Sequence, residues 1–138
     1  MSLFNIFDVS GSGMAAQSVR LNTTASNIAN ADSVASSVDE TYRARHPIFE
    51  AEMAKASHQQ QSSQSVVVKG IVESDAPLQK QFSPNHPMAD NDGFIYKPNV
   101  NVMEEMADMI SASRSYQMNV QVAEAAKSML QQTLRIGK

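Results

Sequence analysis

From Val102 onward the apolar positions recur at steps of three and four. Val102, Met106, Met109, Tyr116, Val120, Ala123, Leu130 and Leu134 fall on one line, broken only by Ser113 and Lys127. That is the spacing of a coiled-coil face. A second line, Val122, Ala126, Met129 and Ile136, is displaced around the same helix, so its C-terminal half offers apolar surface on two sides. Asn101 with Glu104 three residues later reads as a capping box, and Gly137 fits the C-terminal cap. Glu104, Glu105 and Asp108 near the start and Arg135 near the end complement the helix dipole. A helix over 101–136 would be roughly 50 Å long, more than the width of a compact domain of this size.

Residues 3–31 carry a second helical pattern, with Phe7, Met14, Leu21 and Ile28 at one heptad position and Gly11, Ser18 and Ala25 at the other. This seam is narrow. Asp8 and Arg20 are the only charged side chains between Met1 and Ala31; the remaining polar positions are Ser, Thr, Asn and Gln. Short polar side chains compete for the backbone and make mediocre helix formers. They also suit close helix contacts, where an unpaired charge would be costly to bury. The pattern predicts a helix that is stable only when packed.

Between Asp32 and Asn99 the pattern changes. Residues 42–53, YRARHPIFEAEM, read as a strand interrupted at Pro47, and residues 57–65 as a polar low-complexity loop. Residues 65–74, SVVVKGIVES, are β-branched and predict a strand or strand pair bent at Gly70. Pro77, Pro84 and Pro87 punctuate the next stretch, and 91–98, NDGFIYKP, predict a turn and a short edge strand ending at Pro98. The expected class is therefore α+β: long N- and C-terminal helices form a coiled-coil-like stem with a small β-rich insert. The expected divisions are 1–35 for the first helix, 36–100 for the β module with a flexible loop near 55–65, and 101–138 for the second helix. Termini packed as partners suggest a polymer.

Composition narrows the field. With 138 residues, 42% hydrophobic and 18% charged, the chain can supply one modest core. A net charge of −3 and a pI near 5.5 leave no basic field for a phosphate backbone, so no nucleic-acid partner is expected. The absence of cysteine removes disulfides and thiolate metal sites. No apolar run is long enough to span a membrane, and the amino terminus lacks the basic-then-apolar plan of a signal peptide. Any exit from the cytoplasm is thus expected without a cleavable leader.

The chemical motifs are weak. Gly11-Ser12-Gly13-Met14-Ala15-Ala16 matches a dinucleotide fingerprint, but such a loop works between a strand and a helix of a parallel sheet, and the chain has no second strand for one nearby. A flexible joint or loosened turn is the better reading of these glycines. The acidic loop 89–93, ADNDG, has Met88 and Asn99 where an EF-hand needs its first and twelfth ligands, so a local turn closed by Asp90, Asn91 and Asp92 is expected. His46, His58 and His86 lack metal-pair spacing. There is no GxSxG elbow. No catalytic residue, cofactor, metal or small-molecule substrate is expected.

Several strings together closely resemble the rod and hook family of bacterial flagellar axial proteins: FNIFDVSGSGMAAQSVRLNTTASNIANADS, YRARHPIFE, GIVESDAPLQKQFSPNHPMADNDGFIYKPNVNVMEEMADMISASRSYQMNV and KSMLQQTLRIG. The resemblance spans nearly the whole chain, and ASNIANAD at 25–32 has a form shared across the family. It implies a structural subunit of the basal-body proximal rod, the shaft that transmits torque to distal rod and hook. It further implies export by the flagellar type III apparatus, a location in the rod across the periplasm, and partners among copies of itself, other rod proteins and rotor-ring junction proteins. The subunit-interface residues expected on this reading are Leu21, Asn22, Asn27, Ile28, Asn30, Met106, Met109, Ile110, Tyr116, Val120, Ala123, Leu130 and Leu134. The three asparagines are expected to hydrogen-bond across subunits and the others to supply buried area. The terminal helices, unable to offset ordering entropy through narrow seams, are expected to order on assembly. The alternative is a soluble cytoplasmic coiled-coil adaptor or export chaperone.

Overall fold

In a computed structural model, which describes residues 3–53 and 64–136, two helices frame two small sheets. The predicted cap at Gly137, His58 and residues 54–63 of the polar loop lie outside the described residues. Helix α1 spans Leu3–Asn30 and α2 spans Val102–Ile136. Asn101 starts α2 as its sequence position predicts: its Oδ1 accepts from Met103 N at 3.2 Å and its carbonyl from Glu105 N at 3.0 Å. The first helix ends where Asn30 O accepts from Ser33 N at 3.1 Å and from Ser33 Oγ at 2.7 Å.

The flexible joint expected at Gly11–Gly13 is absent. Helix α1 runs unbroken through it. Gly13 instead permits close approach, because a Cβ there would lie 2.8 Å from Asn119 Nδ2 of α2. Further along, Arg20 Nη2 meets Asp108 Oδ1 at 2.7 Å, and Asn27 Nδ2 meets Glu105 Oε1 at 2.9 Å. Rising numbers in α1 meet falling numbers in α2, so the helices pack antiparallel.

The strands β1 (Arg45–Met53) and β2 (Gln64–Glu73) form an antiparallel pair with Arg45 opposite Glu73 and Met53 opposite Gln64. Pro47 does not interrupt β1; it pairs with Ile71. The irregularity comes one step later. Ile48 faces Gly70 while Phe49 faces Val68, which leaves Lys69 as the extra residue of a bulge beside the glycine expected to bend the strand. Val66 N donates to Ser12 Oγ at 3.2 Å, so the outer edge of β2 lies against α1.

The second pair joins β3 (Gln79–Phe82) to β4 (Phe94–Lys97). Strand β3 was hidden between prolines, and all its residues are exposed, so no apolar alternation announced it. Nor is β4 an edge, since Ala35 bridges to Tyr96 on its other side through two 3.0 Å backbone bonds. The turn at 89–93 takes the expected form: Asp90 Oδ1 accepts from Asp92 N at 3.0 Å and Phe94 N at 2.7 Å. Gly93 supplies the positive φ of 80° that closes it. Phe82 and Phe94 stack edge to face at 5.1 Å.

The core is built of small side chains. Ala16, Ala35, Ala44, Ile95, Val100, Ala112 and Ala126 are buried, and among the described residues the largest fully buried side chains are Asn27 and Pro98.

Candidate functional site

Two features of the stem bear on function: a polar hub inside it and an apolar surface outside it. The hub is Asn27, 1% exposed. Its Nδ2 donates to Arg45 O at 2.8 Å and Glu105 Oε1 at 2.9 Å, while Oδ1 accepts from Arg45 N and Tyr42 OH, each at 2.9 Å. Both donors and both acceptor positions of the amide are satisfied. One side chain thereby joins α1, α2, the segment after α1 and the first residue of β1. Asn99 works similarly below it, accepting from Ala44 N at 2.8 Å and donating to Ser74 O at 3.2 Å and Ala76 O at 2.8 Å.

Burial pushes the Glu105 carboxyl above the usual carboxylate range, against the Asn27 hydrogen bond that favours its charged form. Asp90 shifts the other way, lowered chiefly by the Phe94 backbone N–H. Both have structural partners. Among the described residues no cluster of His, Asp and Glu could hold a metal ion, and no helix is long and apolar enough to cross a membrane.

The α2 line that faces inward is Glu105, Ala112, Asn119 and Ala126, at seven-residue steps, with Ala112 and Ala126 at 0% and 1% exposure. Sequence reading placed the seam one heptad position away, on larger residues. The larger residues consequently flank the contact or face outward. Val102, Met103, Met106, Ile110, Tyr116, Met118, Val122, Met129 and Leu134 are all exposed large hydrophobics, from 37% at Tyr116 to 77% at Met103. Of the expected interface residues, Met106, Ile110, Tyr116, Leu134 and Asn22 are exposed, while Leu21, Ile28, Met109, Val120, Ala123 and Leu130 are half-buried beside the helix contact. Asn27 is committed inside the subunit, and Asn30 Nδ2 bonds Ser26 O at 2.8 Å within its own helix. Met103 and Met118, outside the expected set, are exposed as well. Their signal was simple: a helix packed on one side cannot cover apolar residues all around its girth.

The terminal helices thus pack on each other along a close contact while large apolar residues of α2 remain exposed. Two family profiles match those helices. "Flagella basal body rod protein" matches residues 7–35, nearly all of α1, and "Flagellar basal body rod FlgEFG protein C-terminal" matches 91–136, which takes in β4 and α2. The class is thus that of flagellar basal-body rod proteins, a structural class rather than an enzyme family.

Full-length relatives narrow it. The chain is 45% identical over 138 residues, all of both chains, to the flagellar basal-body rod protein FlgC of Salmonella typhimurium strain LT2. It is 46% identical over 138 residues to that of Yersinia enterocolitica, and 33% over 140 to that of Buchnera aphidicola subsp. Baizongia pistaciae, again over the full length of both. The chain belongs to the FlgC family of flagellar basal-body rod proteins.

Proposed function

We propose that this rod subunit belongs to the proximal rod and polymerises through its terminal helices into the drive shaft that carries torque to distal rod and hook. The observation that carries the reading is the uncovered outer surface of α2, where Met103, Met106 and Ile110 remain 77%, 49% and 54% exposed on a helix that α1 packs from one side only. Leaving that much apolar surface in water is unfavourable, at about 25 cal/mol per Å². Neighbouring helices in a tube wall would remove it.

On this reading the stem is coiled-coil-like and the divisions at 1–35, 36–100 and 101–138 are a wall helix, an outer β module and a second wall helix. Its partners are copies of the same chain, other rod proteins and the proteins joining rod to rotor ring. The subunit reaches the periplasm-crossing rod through the flagellar type III apparatus. Family membership favours this reading over the cytoplasmic adaptor. Among the expected interface residues, Met106, Ile110, Tyr116 and Leu134 are the ones most open to a neighbour, with Leu21, Ile28, Met109, Val120, Ala123 and Leu130 covered at the seam's margins.

The test replaces Ile110 with Asp and, separately, Met106 with Asp. Each variant should fold with a thermal midpoint near the parent's, yet fail to enter isolated basal bodies and fail to support swimming. Normal rods built from either variant would sink the interface assignment.

A further inference from the structure

The apolar part of the stem's contact line is small residues against small residues and has little to fix its alignment. Ala112 and Ala126 are interchangeable in size, and Ser10, Ala16, Thr23 and Thr24 on α1 are all buried small residues. Sliding one helix by seven residues, about 10 Å, would again set small against small. Apolar burial alone therefore discriminates weakly between registers.

Three contacts do discriminate; the Arg20–Asp108 pair, 31% and 40% exposed, is open to solvent and weak, which leaves two. Gly13 leaves room for Asn119, and a slip of seven would bring Ile6 or Arg20 against Asn119 instead, where even a Cβ on residue 13 would come to 2.8 Å. Asn27 meets Glu105 at 2.9 Å. A slip one way sets Asn27 against Ala112 and leaves the buried Glu105 without its donor. The other way offers Glu105 to Arg20 but carries Asn27 past the start of α2. The two contacts stand fourteen residues apart on each helix, so both are satisfied in the same register and both fail together.

We propose that Gly13–Asn119 and Asn27–Glu105 are two register keys that hold the stem in one alignment, and that the second transmits that alignment to the β1–β2 pair. Transmission rests on the remaining bonds of Asn27. Its amide holds both the N–H and the carbonyl of Arg45, so the same group that Glu105 orients sets where β1 starts. A single polar pair setting register at some expense in stability is a known use of buried polar groups. Here it would also make the height of the outward apolar surface, relative to the sheet, identical in every subunit.

The chain has no cysteine, so introduced cysteines are the only sites for spin labels. Labels at exposed Ala15 and Gln121 report helix register, and labels at Glu52 and Gln121 report the position of the β1–β2 pair. In the parent background each pair should give one narrow distance distribution by double electron–electron resonance. In the Asn27→Leu, Glu105→Leu double variant, helicity by circular dichroism should persist while both distributions broaden or split. Gly13→Ala should broaden the first distribution, and Gly13→Ala with Asn119→Ala should narrow it again. Unchanged single distances in the leucine variant would overturn the proposal. Loss of helicity in that variant would overturn the Asn27–Glu105 key and its transmission to the sheet, by showing the pair to be needed for folding and not for alignment, and unchanged distances in Gly13→Ala would overturn the steric key.

Discussion

At the scale of single residues, two carboxylates tilt the acid stability of the protein in opposite directions. Glu105 has its proton affinity raised by burial, so the folded chain holds that proton more tightly than the unfolded chain does. Its contribution to stability therefore grows as pH falls through the folded value and is lost as pH rises above it. In Glu105→Gln that gain is absent, so the parent should improve relative to the variant as urea midpoints are taken from neutral to acid pH. Asp90 has its proton affinity lowered by the Phe94 and Asp92 amides. Its stabilisation is present above the unfolded carboxylate value and is lost as pH falls through the folded one. Asp90→Asn should weaken the fold at neutral pH, with the difference closing in acid.

Asn27, expected at a subunit contact, is instead taken up inside its own subunit. A buried amide and an amide at a subunit contact have the same signature, a polar side chain near the apolar face of a helix. Only the tertiary fold reveals that Arg45, Tyr42 and Glu105 arrive from elsewhere in the chain to satisfy it. Asn27→Ala should lower unfolding free energy by about 3 kcal/mol or more, since it strands Glu105 and both the N–H and the carbonyl of Arg45 at once. Chemical denaturation monitored by far-ultraviolet circular dichroism would measure it; a loss below about 1 kcal/mol would contradict the hub.

At the scale of elements, both helices and the β2 strand were legible. Their signals were local: heptad spacing, Asn101 as a cap, a run of valines. What was not legible is which helical line faces inward. Hydrophobic periodicity favours the largest apolar residues, but the contact that brings Gly13 against Asn119 is lined by alanines and polar side chains. The line of Glu105, Ala112, Asn119 and Ala126 is nearly silent on a hydropathy scale. Ala112→Leu should consequently destabilise the stem by about 2 kcal/mol through overpacking, measured by thermal or urea unfolding. Strand β3 escaped for a related reason: its four residues are all exposed, so no apolar alternation marks it.

The whole molecule is held together unevenly. The hub and Asn99 gather the base of the stem, the loop after α1 and the end of the β1–β2 pair where Arg45 faces Glu73. At the opposite end Gln131–Arg135 are all exposed, with no hydrogen bond or ion pair to another element among the described residues. Amide exchange on the monomer should be slowest around Glu105–Ala112 and fastest through the last turns of α2, and those turns should slow on incorporation into rods. Uniform protection along α2 in the monomer would argue against ordering on assembly.

The β1–β2 pair is attached to α1 at two separated places, at its base through Asn27 and Arg45 and near its far end through Ser12 and Val66. The attachment points are about 22 Å apart along the helix. A plate secured at one point pivots; one pinned at two behaves as a beam, and bending it away from its support requires both pins to yield together. A load on the β1–β2 pair is thus shared between two points of α1 and not carried at one.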